Sequence, residues 1–391
     1  MSNYTLSTLH RRLQALCVFR EVLATPLVRA FCDLVKTDEP IDAYSRFVGE
    51  IYRAGGSLTD CVRRAVLESE NVYVTTIARG DRVDPHIVAS VRRELETLSD
   101  FAALKPEDFA SLFDGVEVGG FSSETIDLCK EYEVVVAEIH KHGYGIFASA
   151  VMFRLSDDTS PRIEPLVSAD PVSMDSFIGY REERARVLAN TEAFVEGRPA
   201  ANVLLYGDAG TGKSSTVKAI ANDLYSDGVR LIELRKNQME KLPYVMEKIS
   251  GNPLKFIIFI DDLSFPQGDD SFSMLKAALE GSASAKAKNA VIYATSNRRH
   301  IVQESFRDRE GSDIHKNDTE QELLSLSARF GLTVQFGKPD KRLYLEIVRE
   351  LAKKNGIDMD TARLEIEAEA FALRRGYRSA RCAEQFINSL L

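Results

Sequence analysis

The 391-residue sequence predicts an α/β fold: a parallel β-sheet with helices on both faces, preceded by a mostly helical region and closed by a helical C-terminal one. Three observations carry that prediction. From about residue 172 short apolar runs alternate with longer stretches of helical period, the order that lays parallel strands side by side under crossover helices. One run, Phe256 to Ile260, consists wholly of aromatic and β-branched residues, as a strand buried on both faces should. A glycine-rich turn, GDAGTGKS from Gly207 to Ser214, lies between a strand-like run and a helix-like one.

Before that region the texture is helical. Leu6, Leu9, Leu13, Leu16 and Phe19 recur near the helical period, as do the apolar positions from Ile41 to Ile51. Gly55-Gly56 and the stretch from Asp81 to Pro85 read as breaks. No nucleotide, metal or nucleophile signature occurs there. Tyr144 to Leu155 is apolar and β-prone, and Ser156 to Pro171, with three prolines, reads as a linker. The strands expected next are Val203 to Tyr206, Arg230 to Leu234, Phe256 to Ile260, Ala290 to Ala294 and Leu332 to Phe336, with a helix from Lys213 to Tyr225. Pro339 should open a helix with the buried stripe Tyr344, Ile347, Val348 and Leu351 and a stop at Gly356. Thr361 to Arg374 and Ala380 to Leu391 read as two more helices. The expected domains are an accessory region with its linker at 1–165, an α/β core at 166–337 and a helical segment at 338–391.

Composition narrows the function classes. Hydrophobic residues make up 44% and charged residues 28%, the balance of an ordinary globular chain. The net charge of −9 argues against broad, sequence-blind nucleic-acid binding, which needs a positive field. No stretch approaches the roughly 18 apolar residues that span a bilayer. Met1 to Gln14 lacks the apolar core of a signal peptide, so a cytoplasmic location is expected. Cys17, Cys32, Cys61, Cys129 and Cys382 are far apart and form no CxxC pair, which reads as buried free thiols in a reducing compartment. His140 and His142 stand two apart, on different faces of a helix, and no cluster completes a zinc site.

The chemistry centres on the glycine-rich turn. It fits G-x-x-x-x-G-K-[ST] in the strand-to-helix context that this phosphate-binding loop, the P-loop, requires. Its glycines let backbone N–H groups wrap a phosphate, and the helix N-terminus adds partial positive charge. The phosphate-binding set is Gly207, Asp208, Ala209, Gly210, Thr211, Gly212, Lys213, Ser214 and Ser215. Lys213 should reach the β- and γ-phosphates of ATP, and Ser214 should ligate Mg²⁺. A carboxylate beyond a buried strand should help hold the metal. Asp261, just past Ile260, is the metal candidate, and Asp262 takes the place of a water-activating carboxylate. The alternative for either is a helix cap or turn residue.

In order and spacing these features resemble an AAA+ ATPase. The resemblance implies a polar first sensor at the end of the next strand, here Asn297 after Thr295 and Ser296. It implies an arginine finger reaching a neighbouring subunit's site, matched by Arg329 in SLSARFGL, Ser325 to Leu332. It also implies a second-sensor arginine on a C-terminal helical lid, residues 338–391, matched by Arg381 in Ser379-Ala380-Arg381. The apolar-glycine element that cups adenine is matched by Phe177, Ile178, Gly179 and Tyr180. The strings DDLSF at Asp261, LKAALEG at Leu275 and YATSNRRH at Tyr293 are more specific. They resemble an uncharacterised bacterial AAA+ family, a domain of unknown function, over about residues 140 to 391. One departure stands out: the superfamily's usual water-activating residue is Glu, and this chain has Asp262, one methylene shorter. Glu280 and Glu304 are conceivable stand-ins.

What the resemblance implies is a Mg²⁺-dependent ATPase that assembles as a homo-oligomer, binds ATP and ADP, and remodels or assembles an unidentified protein partner. Threading is disfavoured, because Lys236 to Tyr244 lacks an aromatic-apolar-glycine pore signature and Met239 and Leu242 substitute poorly for it. A nucleic-acid-linked switch is the alternative, motivated by Arg298, Arg299 and His300 and by Arg374, Arg375 and Arg378. The overall acidity speaks against it. A small-molecule kinase would need an acceptor-substrate site, and none is visible.

Overall fold

A computed structural model of the chain describes residues 3–113, 115–158, 160–166, 171–263, 275, 279, 288–297 and 329–391. They form two compact units: one comprises 1–149 with 251–253, the other 150–250 with 254–391. No helix among the described residues is long and apolar enough to cross a membrane.

The first unit is helical: α1 (Asn3–Gln14), α2 (Pro26–Lys36), α3 (Pro40–Arg53), α4 (Leu58–Leu67), α5 (Val72–Ala78), α6 (Pro85–Ala102), α7 (Leu128–Ala137) and the single turn α8 (Ile139–His142). Prolines open α2, α3 and α6, where a missing N–H costs nothing. The side chains of Ser57, Asn71 and Asp127 accept the first free N–H groups of α4, α5 and α7. An aromatic cluster fills the core: Phe31 and Phe101 lie 4.8 Å apart, Tyr44 and Phe109 5.3 Å, and Phe47 and Phe121 5.8 Å. The stripe from Leu6 to Phe19 is buried throughout, but α1 stops at Gln14. Beyond it the N–H groups of Cys17, Val18 and Phe19 donate to the buried Glu94 carboxylate of α6 at 2.9 to 3.0 Å. The apolar rhythm outlasts the helix because a side chain replaces the helical acceptors.

The second unit holds strands β1 (Met152–Leu155), β2 (Ile163–Pro165), β3 (Val203–Gly207), β4 (Val229–Leu234), β5 (Lys255–Ile260), β6 (Ala290–Ser296) and β7 (Leu332–Phe336). They form one sheet in the order β2-β1-β4-β5-β6-β3-β7, parallel except for the β1–β2 hairpin. The five core strands fall where the sequence predicts them. The expected boundary at 165 does not match: β2 is an edge strand of this sheet, β1 lies between it and β4, and the units divide at Ala150. Main-chain pairing of Met152–Arg154 with Leu231–Glu233 draws the segment in, a long-range partnership that local composition does not announce.

Both faces of the sheet are covered, as a parallel sheet requires. Val203, Leu205, Ile257, Phe259, Val291 and Val334 pack with Val187 and Phe194 of α9 (Arg181–Val195) and with Val217 and Ile220 of α10 (Lys213–Asp223). The alternating set, including Leu204, Ile232, Ile258 and Ile292, is buried on the opposite face. Tyr293, within the first cluster, satisfies its hydroxyl with Asn190 and Thr191 of α9.

Past the sheet, α12 (Lys341–Lys354), α13 (Thr361–Arg375) and α14 (Ala380–Asn388) enclose a core of their own around Tyr344, Val348, Leu364, Ala368 and Phe386. Pro339 does not begin α12: Asp340 caps it, its carboxylate accepting the N–H of Leu343 at 2.7 Å. All five cysteines are unpaired, but only Cys32 and Cys382 are buried, and Cys17 is exposed.

Candidate nucleotide-binding site

The C-terminal ends of β3, β5 and β6 meet one cavity of about 420 Å³. It is lined by Ala209 to Ser215, Asp261, Asp262, Thr295, Asn297, Phe177, Ile178, Arg184 and, from the helical C-terminal segment, Ile347, Leu351, Ala380, Arg381 and Glu384. The glycines of the loop are required by geometry. Gly207 has φ +138°, and a Cβ there would sit 2.0 Å from the carbonyl oxygen of Phe336. Gly210 and Gly212 have φ of +75° and +88°, in the left-handed region.

Lys213 begins α10 and is 6% exposed. Its ammonium donates to the carbonyls of Gly207 (2.9 Å) and Asp208 (2.7 Å) and to Oδ1 of Asn297 (3.1 Å). Burial lowers its pKa, while Asp208, Asp261 and Asp262 pull the other way. Asn297 turns its amide to Asp262, donating from Nδ2 to Oδ1 at 2.8 Å. One hydrogen-bonded chain therefore runs from Lys213 through Asn297 to Asp262. Beside it, Ser214 Oγ donates to Asp261 Oδ1 at 2.6 Å, and Thr295 Oγ1 donates to the same oxygen.

Asp262 is left-handed, with φ +51°, a conformation more tolerable for Asp than for most residues. Its N–H is held by Thr295 Oγ1 at 2.9 Å and Asp261 Oδ1 at 3.1 Å. The buried Thr295 thus orients both carboxylate residues at once. The sequence reading stepped past it to Asn297, although its place directly after a buried strand run was a usable signal.

Hard oxygen donors at Ser214 and Asp261 suit Mg²⁺, which is bound through one or two carboxylates plus phosphate and water. Among the described residues no three His, Cys, Asp or Glu side chains converge as a cage, so a cation here would complete its shell from phosphate oxygens and water.

The base-side element divides. Phe177 and Ile178 line the cavity. Gly179, with φ +74°, fits under Leu343: a Cβ would come within 2.7 Å of that side chain. Tyr180 does not line the cavity. Its ring lies 5.4 Å from that of Phe336, and its hydroxyl donates to the carbonyl of Gly337 at 2.6 Å. It is a core residue whose apolar ring is used by the sheet, which corrects the expectation that it cups the base. Gly207 and Asp208 shape the loop without lining the cavity, and Asp208 donates its N–H to Phe336.

Arg381 stands in the first turn of α14 and lines the cavity, and its N–H donates to the carbonyl of Gly210 at 3.3 Å. Arg329 is half-buried next to β7 in sequence and does not line this cavity. Arg378 is held by Glu369 through two hydrogen bonds of 2.9 and 2.8 Å, a partner within the same helical segment. Arg298, Arg299, His300, Glu280, Glu304 and Ser325 to Ala328 of SLSARFGL lie outside the described residues.

A family described as Protein of unknown function (DUF815) matches residues 148–391, more than half of the chain. Proteasome-activating nucleotidase 2 of Haloferax volcanii is 25% identical over 264 residues, covering 58% of this chain and 61% of that protein. The chain therefore spans less than two thirds of this relative's length. Two solved structures of RuvB variants from Thermotoga maritima align with TM-scores of 0.38 and 0.35 and identities of 17% and 14%. Those alignments cover 55% and 56% of this chain and 63% and 71% of theirs. The P-loop on β3 and the acidic pair beyond β5 lie within the matched region, and the chain belongs to this family of unknown function as a relative of the AAA+ ATPases.

Proposed function

We propose that the chain binds ATP with Mg²⁺ and hydrolyses it, and that an oligomer of this chain uses the cycle to remodel or assemble a protein partner. The observation that carries the reading is the hydrogen-bonded chain Lys213–Asn297–Asp262 beside the Ser214–Asp261 pair. Lys213 and the loop N–H groups hold the phosphates. Ser214 and Asp261 would hold Mg²⁺, which polarises the terminal phosphate. Asp262 accepts the proton of the attacking water, and its left-handed backbone aims the short carboxylate, which Asn297 orients. Arg381 reaches the γ-phosphate from the lid, and Arg329 serves a neighbouring subunit's site, a contribution worth about 10³ to 10⁵ in rate.

Remodelling is favoured over threading because Met239 and Leu242 are buried in the unit's core and offer no exposed pore loop. The relative's name concerns a proteasome, which is said of that protein. For this chain, residues 1–149 serve either to dock the partner or to gate oligomerisation.

Mixing two variants tests the shared site. Arg329→Ala keeps an intact site and lacks the finger; Asp262→Asn keeps the finger and lacks the base. Each alone should be inactive as an ATPase, and the mixture should regain a substantial part of wild-type turnover. A mixture as inactive as its components would overturn the shared site.

A further inference from the structure

Arg184, near the start of α9, belongs to none of the motifs and yet lines the cavity. It is 4% exposed. Its Nη1 donates to the carbonyl of Gly179 and, at 3.4 Å, to that of Ile178. Its Nε donates to Thr216 Oγ1 at 3.3 Å. The guanidinium lies 4.2 Å over the ring of Phe177 and 5.8 Å over that of Tyr180. Nη2 reaches Gly212, 3.1 Å from where a Cβ would stand, and finds no acceptor among the described residues.

Burying a cation is costly unless it is paired and hydrogen-bonded. Arg184 forms no ion pair with a described carboxylate and has two carbonyls, a hydroxyl and two ring faces instead. Burial depresses its pKa to about 10, so it stays charged at neutral pH. The N–H pair of Nη2 lies between two sides of the cavity. The ring of Phe177 is 4.2 Å from the guanidinium on one side, and Gly212 of the phosphate loop is on the other.

We propose that Arg184 is the base-recognition residue of this site. Its Nη2 donates to an acceptor on the purine ring of the bound nucleotide, while Nη1 and Nε tie the base-side loop to the first turns of α10. This rests on the nucleotide-binding reading above and adds specificity to it. A single guanidinium N–H donates well to a purine ring nitrogen such as N7. A pyrimidine lacks that five-membered ring and would leave the N–H unpaired, and an unmade buried hydrogen bond discriminates strongly.

The test is calorimetric titration of the full chain with ATP, CTP and inorganic tripolyphosphate. Wild type should prefer ATP to CTP. Arg184→Lys keeps the charge but loses the fork. It should weaken ATP about tenfold, the loss of one charge-assisted hydrogen bond, and leave tripolyphosphate and CTP unchanged. An unchanged ATP affinity, or an equal loss for tripolyphosphate, overturns base recognition; the latter makes Arg184 a brace of the phosphate loop. If Arg184→Lys lowers the melting temperature without nucleotide, Arg184→Gln, which retains a donor for Gly179, is judged by the same criteria. A wild-type protein that binds tripolyphosphate but shows no preference for ATP over CTP sinks this proposal alone; one that binds none of the three sinks the nucleotide-binding reading with it.

Discussion

Two sets of buried polar side chains, one in each unit, serve different ends. In the helical unit each buried polar group shown here answers the chain itself. Glu94 collects three loop N–H groups, Asn71 caps α5 and donates to Tyr132, and Thr59 joins Ala102 to Glu124. In the α/β unit Lys213, Arg184 and Thr295 are as deeply buried, but all three open on one cavity. The difference teaches where to look for chemistry. A buried polar group that meets no cavity holds a fold together, and one that lines a cavity stands where a ligand can exchange for its partners.

Three substitutions break or sharpen that contrast. The largest effect should come from Phe47→Ala. Its ring meets those of Phe31, Phe109 and Phe121 at 6.0, 5.8 and 5.8 Å, and truncation should cost about 3–5 kcal/mol. Calorimetry should show a lowered transition for the helical unit while ATP affinity holds; a parallel fall in ATP affinity would couple the units and dissolve the contrast. Gly207→Ala acts on the other side. Its methyl would meet the Phe336 carbonyl at φ +138°, and strain of about 1–3 kcal/mol should weaken ATP binding and destabilise the α/β unit alone. Thr295→Val should be mildest, removing one hydroxyl worth about 1 kcal/mol. ATP binding without metal should be unchanged, and the Mg²⁺ concentration for half-maximal binding should rise several-fold. Thr295→Ser should restore it, and equal loss with and without Mg²⁺ would exclude an orienting role toward Asp261.

The legible part of the site was the part written in contiguous residues. Gly207 to Ser214 announced the loop, and the buried run before Asp261 announced the acidic pair. Asn297 and Arg381 were placed only through the resemblance to the AAA+ ATPases. Arg184 was not legible, because a charged residue in a helix looks like a solvated face until the fold buries it between Phe177 and Thr216. Tyr180 erred in the opposite direction: it sat next to true cavity residues, but one left-handed step, φ +51°, places its ring against Phe336. Met152–Leu155 lies in a run read as β-prone, but its place in this sheet depends on pairing with Leu231–Glu233 far along the chain, and Ile163–Pro165 in turn pairs with it. Spacing reports local periodicity; it does not report which distant backbone completes a ladder.

The hydrogen bond from the Arg381 N–H to the Gly210 carbonyl has a mechanical meaning. Gly210 lies at the middle of the phosphate loop, and Arg381 lies in the first turn of the helix that ends the described chain. A rotation of that helix must either snap this link or drag the loop with it. Because work done across a joint is symmetric, whatever the phosphates do to the loop is transmitted with the same coupling energy to the helix. Residues 338–391 would then act less as a cover than as a lever arm with its fulcrum at a single peptide group.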